Sequence, residues 1–177
     1  MALRPLHLLG SPTLREKSTD VPAVDAETQA FIDDLFETMD AAKGVGLAAN
    51  QVGVATRVAV IDADGHRFAM VNPVIVARDG RDTAEEGCLS IPDLYADVTR
   101  STTVTIEALD REGHPFRLDA EGFEARVIQH EIDHLDGILF VDRLSPLKRK
   151  LLVTRWRKGR KGEGHIKHLG AATDAKA

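Results

Sequence analysis

The chain has 177 residues, 43% of them hydrophobic and 29% charged, with a formal net charge of −5. That composition excludes a disordered or fibrous protein and argues against a general nucleic-acid binder. The length suits one domain with a real core, and the single cysteine, Cys88, rules out any internal disulfide.

In chain order, the N-terminal run is interrupted by Pro5 and His7 and does not read as a signal peptide. No segment approaches a membrane span in length, so a cytoplasmic protein without membrane contact is expected. Residues 1–24 read as irregular, with Leu8, Leu9 and Leu14 packing onto the body. A helix is predicted from Asp25 to Ala42, with Asp25 as N-cap and Phe31, Leu35 and Met39 as its apolar stripe. The glycine- and alanine-rich run Gly44–Gly53 follows and lets backbone approach a neighbour closely. It lacks the Lys-Ser/Thr pair of a phosphate loop and the spacing of a dinucleotide fingerprint. Within it, Asn50 and Gln51 carry uncharged side chains able both to donate and to accept.

Strands are predicted over Arg57–Asp62 and Arg67–Val71, turning through Ala63-Asp64-Gly65. A separate one starts at Asn72-Pro73 and ends at Asp79-Gly80. Glu85 to Pro92 reads as an irregular strand that pauses beside a site, because Gly87 and Pro92 flank Cys88. Thr102 to Leu109 alternates and turns at Asp110–Gly113 into Pro115–Leu118.

The run Gln129-His130-Glu131-Ile132-Asp133-His134 then organises the rest. In a helix starting near Glu121 or Gly122, His130 and His134 lie one turn apart and can bind one metal ion, with Glu131 able to reach a water on it. Val127, Ile128, Ile132 and Leu135 recur at near-helical spacing, and Gly137 is a stop signal. The competing reading is two histidines on a surface helix, one of them capped by Asp133. After Asp142 the chain turns basic. Ser145-Pro146 opens a helix to about Arg157, rich in lysine and arginine and poor in acids, which suits either a solvated face or contact with a polyanion such as RNA.

The fold class expected is α+β, with antiparallel sheets around a central helix carrying the two histidines, one N-terminal helix and one C-terminal helix. Residues 1–158 read as one catalytic domain and 159–177 as a flexible tail.

A hydrolytic metal site needs a third protein ligand and one open position. Metalloproteases that close the site with a third histidine would need it where this chain has Phe140. Those using a distal glutamate would have only Glu163. Cys88 can supply the missing ligand, since a thiolate beside Glu85 and Glu86 has no evident stabiliser except a cation.

Three stretches in this order, GVGLAANQ (44–51), EGCLS (86–90) and QHEIDH (129–134), resemble the signature motifs of peptide deformylases. The likeness runs from GSPTLR at 10–15 to LFVDRLSP at 139–146. It implies a metal-dependent hydrolase of protein biosynthesis that removes the N-formyl group from the initiator methionine of nascent chains. By the same resemblance, Cys88, His130 and His134 would bind one ferrous ion, Fe(2+), with zinc, nickel or cobalt able to replace it. Glu131 would be general base and then acid, with Gln51 and the Leu89 N–H holding the oxyanion. Val45, Phe123 and Val127 would line the methionine pocket, with Glu86 and Arg126 near its edge, and Val45 and Gly46 would pair with the extended peptide. The basic C-terminal helix could touch the ribosome. Arg126, Tyr95 and Lys43 depart from the residues of some relatives, which affects the outer subsites and not the reaction. Two other readings stay open: an amidase for another small acyl group such as acetyl, and a non-catalytic metal-binding or ribosome-associated protein.

Overall fold

The computed structural model describes residues 1–170. Its organising strand is β3, Val58–Ala63, whose apolar run is buried on both faces. It lies in a five-stranded antiparallel sheet, ordered β2 (Gly46–Ala48), β3, β4 (His66–Asp79), β7 (Thr103–Leu109), β8 (Pro115–Glu121). Successive side chains of a strand point to opposite faces, so β3 feeds two cores. Val58 and Val60 meet helix α1, Ala26–Ala41, through Ile32, Leu35 and Met39. Ala59 and Ile61 meet helix α2, Gly122–Leu135, through Val127, Ile128, Ile132 and Leu135. Each fully buried leucine or isoleucine contributes about 1.5–3 kcal/mol to holding a helix on its face.

The helix starts follow local chemistry. Asp25 Oδ1 accepts from the Thr28 N–H at 2.8 Å, satisfying one of the free donors that begin α1. Ile32 rather than Phe31 fills the core, and Phe31 lies at the edge beneath the Arg4 guanidinium. At the third helix, α3 (Pro146–Gly159), Ser145 caps the Lys148 N–H and Pro146 occupies the first position, where no donor is lost.

A second, two-stranded sheet is formed by β5 (Asp82–Cys88) and β6 (Ile91–Arg100) and shares no ladder with the first. Its inward residues Leu94, Ala96 and Val98 pack with Leu9, Leu14 and Phe140 in a third core, onto which Leu152, Val153 and Trp156 of α3 fold.

Three expectations are corrected. Asn72-Pro73 does not begin a new strand: β4 runs through it, with the ladder to β7 shifting register there and Asn72 at φ +52°. The bulge absorbs the missing proline donor, and the Asn72 side chain bonds both the N–H and the C=O of Val21. The strand β6 was not foreseen beyond Pro92, although its alternation is plain once Arg100 is counted as inward-facing. Part of the expected tail, Ile166–Lys167 (β9), instead pairs antiparallel with Leu6–His7 (β1). Residues 171–177 of that segment lie outside the described residues. No helix among the described residues is long and apolar enough to cross a membrane.

Candidate metal centre and substrate cavity

On α2, His130 and His134 project from one flank at the i, i+4 spacing, with His134 buried and His130 half-buried at the edge of a cavity. Cys88 reaches them from the end of β5, where the ladder to β6 shifts register between Glu86 and Cys88. Such an irregularity re-aims a side chain, and here it turns the sulfur toward α2. The Cys88 sulfur lies 3.3 Å from Nε2 of His134, which lies 3.2 Å from Nε2 of His130. The three ligand atoms all fall within 4.8 Å of one another. Tetrahedral coordination with metal–nitrogen bonds near 2.0 Å and a metal–sulfur bond near 2.3 Å gives edges of about 3.3–3.6 Å, so the donors fit one small cation.

The surroundings fix the rings. His130 Nδ1 bonds Glu86 Oε1 at 2.9 Å, leaving Nε2 for the sulfur side. Burial lowers the affinity of His130 for a proton, but hydrogen bonds to Cys88 and Glu86 outweigh it and push its pKa up to about 10. His134 goes the other way: burial, and then the neighbouring His130 charge, hold it well below the ordinary imidazole value.

Glu131 is buried, 4% exposed, and burial is the main reason its carboxyl is pushed up to about 7. Its Oε2 has no protein partner among the described residues. The strand β2 passes over it closely: a Cβ on Gly46 would sit 2.6 Å from Glu131 Oε1. Gln51 is oriented by accepting from the Ala48 N–H at 2.9 Å, and its amide nitrogen lies 3.1 Å from Ser90 Oγ and 3.7 Å from the Cys88 sulfur. Leu89 follows Cys88 at the turn into β6.

A cavity of about 470 Å³ opens beside these groups, reached by Gln51, Cys88, Leu89, His130 and Glu131. Val45, Gly46, Phe123 and Val127 line it, with Val45 and Phe123 partly open to solvent. Glu86 and Arg126 also reach it, but their charged ends face each other at 2.7 Å rather than the opening. Because the Val45 C=O accepts from the Asp62 N–H, strand alternation turns the N–H and C=O of Gly46 to the open edge of the sheet.

Sequence reasoning missed Arg100, a buried residue on β6 that bonds both Glu86 and Asp133. The signal was its place in the inward alternation after Leu94, Ala96 and Val98. Asp133 does not cap a histidine; it pairs with Arg100 and Arg143. Nor do both acids crowd Cys88, since Glu86 is neutralised by arginines and Glu85 is exposed.

Residues 3–150 match the family described as polypeptide deformylase. Among similar curated proteins, a peptide deformylase of Rhizobium meliloti is 44% identical over 170 residues, covering 93% of this chain and 98% of its own. Peptide deformylase 2 of Xanthomonas axonopodis pv. citri is 48% identical over 167 residues, covering 91% and 98%. Among solved structures, a peptide deformylase from Legionella pneumophila superposes with TM-score 0.86 at 45% identity, covering 90% of this chain and 96% of that one. The enzyme from Ehrlichia chaffeensis in complex with actinonin gives 0.86 at 33% identity, covering 91% and 99%.

Proposed function

The chain belongs to the peptide deformylase family, and we propose that Cys88, His130 and His134 hold its catalytic metal while Glu131 moves the proton. As a member it removes the N-formyl group from the formyl-methionine of nascent chains, with a catalytic metal. The observation that carries the residue assignment is the meeting of one sulfur and two Nε2 atoms beside a buried carboxylate at the mouth of a cavity.

When bound, the metal supplies a Lewis acid that polarises the formyl oxygen and makes a water nucleophilic near neutral pH. Glu131 accepts the proton of the attacking water; the formyl carbon gains a C–O bond. The same carboxyl then donates that proton to the departing amine nitrogen as the C–N bond breaks, leaving formate and a free methionine amine. Gln51, pre-aimed by Ala48, and the Leu89 N–H donate to the oxygen on which negative charge develops. The methionine side chain enters between Val45, Phe123 and Val127, with Glu86 and Arg126 closing the inner wall. The peptide runs along the open edge of β2 as an added strand through Gly46.

Ferrous iron is our assignment for the ion, one per chain; a sulfur-and-imidazole donor set also accepts zinc, nickel or cobalt. Residues 1–158 act in this reading as one catalytic unit, to which the β9 segment adds Lys167 at the cavity and Leu169 on the second core cluster. Its exposed basic helix α3 contacts the ribosome, and a nascent-chain substrate places the work in the cytoplasm.

Protein loaded anaerobically with Fe(II) should release formate from formyl-Met peptides and leave acetyl-Met peptides intact, because a site shaped for a formyl hydrogen rejects a methyl. Absence of formate with iron demonstrably bound at Cys88 would overturn the assignment.

A further inference from the structure

We propose, resting on the assignment of Cys88, His130 and His134 as ligands, that Arg100 and Arg126 are positioning residues that strap the β5–β6 sheet to α2 and so set the ligand triangle. The need for a strap follows from topology. Cys88 rides on a two-stranded sheet that shares no ladder with the five-stranded sheet on which α2 packs. Backbone hydrogen bonds hold the hairpin at its root, Thr102 N–H to Asp79 C=O at 3.0 Å, and at its turn, Leu9 N–H to Ser90 C=O at 2.8 Å, but none among the described residues joins β5 or β6 to α2.

The two guanidinium groups cross that gap in opposite directions. Arg100, from β6, donates Nε and Nη2 to Glu86 at 2.6 and 2.9 Å, and Nη1 to Asp133 on α2 at 2.8 Å. Arg126, from α2, donates to Glu86 at 2.7 Å, to the Val98 C=O at 2.8 Å and to the Asp82 C=O at 2.9 Å. Both forks converge on Glu86, two residues before Cys88, and Glu86 in turn holds His130 Nδ1. Moving either fork therefore moves the sulfur and turns a ligand ring together.

The chemistry suits alignment better than stability. The Arg100 side chain is 4% exposed and Glu86 6%. Desolvating such charges largely cancels their attraction, so the network contributes geometry more than folding free energy. A planar guanidinium bonding two ways to a carboxylate fixes direction as well as distance. Lysine in either place would keep the charge and lose the fork. The outer partner of Asp133, Arg143, is 42% exposed and spans no gap to β5 or β6.

The test is anaerobic titration of the full-length protein with Co(II), reading the thiolate-to-cobalt absorption band and the affinity against a competing chelator. Wild-type protein should show the band. Arg100→Lys and Arg126→Lys, which retain the buried charge, should each lower Co(II) affinity by about 10–100-fold and shift the band. Arg143→Gln should keep the wild-type affinity and band. Wild-type affinity and band in folded Arg100→Lys would overturn the inference. A wild-type protein with no thiolate band would instead reject the ligand assignment on which it rests. Thermal melting of each metal-free variant separates a lost strap from a lost fold: the inference requires weakened binding in a variant that melts cooperatively.

Discussion

The Cys88 sulfur stands 3.3 Å from His134 Nε2 although the two residues are 46 apart in sequence and come from different layers of the fold. That proximity divides the site into parts that hold a cation and parts that move protons. Glu131 belongs to the second group, since its carboxylate points toward β2 and the cavity and not into the triangle.

Glu131→Gln should accordingly retain the metal and lose the reaction. The amide keeps the volume of the buried side chain but cannot take a proton from water. General acid–base contributions of this kind are worth about 10²–10⁴-fold, so formate release should fall by that factor with metal content unchanged. Parallel metal analysis and formate assays decide it. Equal loss of metal and activity would make Glu131 part of the cation site.

Gly46→Ala should act on the same carboxylate from the other side. The added methyl would lie 2.6 Å from Glu131 Oε1 and 2.9 Å from its Cδ, so the carboxylate, at the end of a flexible side chain that lines the cavity, must swing away. A displacement of about 1 Å in a catalytic group costs on the order of 10²-fold in rate. We expect kcat/KM to fall by about that factor with little change in Tm. Gly159→Ala, at the end of α3 with open space around its Cβ, should leave kcat/KM unaltered and raise helix stability slightly. Unchanged kcat/KM in Gly46→Ala would show that Glu131 can shift without consequence.

How much of this was legible in the sequence depended on whether the information was local. Helix α1 could be read because Asp25, Thr28 and the apolar spacing all lie within one stretch, and α2 because its histidines repeat at one turn. The motif around Cys88 could be joined to them only through chemical logic and resemblance, since nothing in its spacing says which helix the sulfur meets. Arg100 escaped for a stronger reason. Its partners Glu86 and Asp133 are 14 residues back and 33 residues on, and an arginine on a strand normally marks a solvent face. The β1–β9 pairing was hidden likewise, because two-residue strands from the two ends of the chain carry no periodicity.

Stability toward acid should depend on Asp142. Burial pushes this carboxyl up, but hydrogen bonds from Arg15 and the Leu139 N–H, with the Arg149 charge 3.0 Å away, hold it below its ordinary value. A carboxyl depressed in the folded state stabilises the fold above its unfolded pKa of 3.8 and loses that contribution as pH falls through the folded value. The partners are half-exposed, so after solvent screening the contribution is ~1 kcal/mol. Urea melts of Asp142→Asn should show a deficit of that size at about pH 7 that narrows progressively as pH falls below the unfolded pKa of 3.8. A deficit unchanged over that range would place its origin in packing and not in charge.

The last expectation concerns α3. Its apolar side, Leu152, Val153 and Trp156, is committed to the third core, and the Trp156 N–H donates to the Pro92 C=O at 2.7 Å. The rest of its surface, flanking that side and behind it, carries Lys150, Arg155, Arg157 and Lys158, exposed and without ion pairs among the described residues. Five unpaired cations along one helix, these four and Lys148, on a chain of net charge −5, form a local field that the average conceals. If that field docks the enzyme on ribosomal RNA, each neutralised phosphate releases counterions and binding weakens steeply with salt. Replacing Lys150, Arg155, Arg157 and Lys158 by glutamine should abolish co-sedimentation with ribosomes at low salt and flatten its salt dependence. Formate release from short formyl-Met peptides should stay at the wild-type rate, because none of the four reaches the cavity beside Cys88. Wild-type co-sedimentation by the quadruple variant would remove the ribosome from the role of α3 and leave the helix as a solvated brace for the β5–β6 sheet.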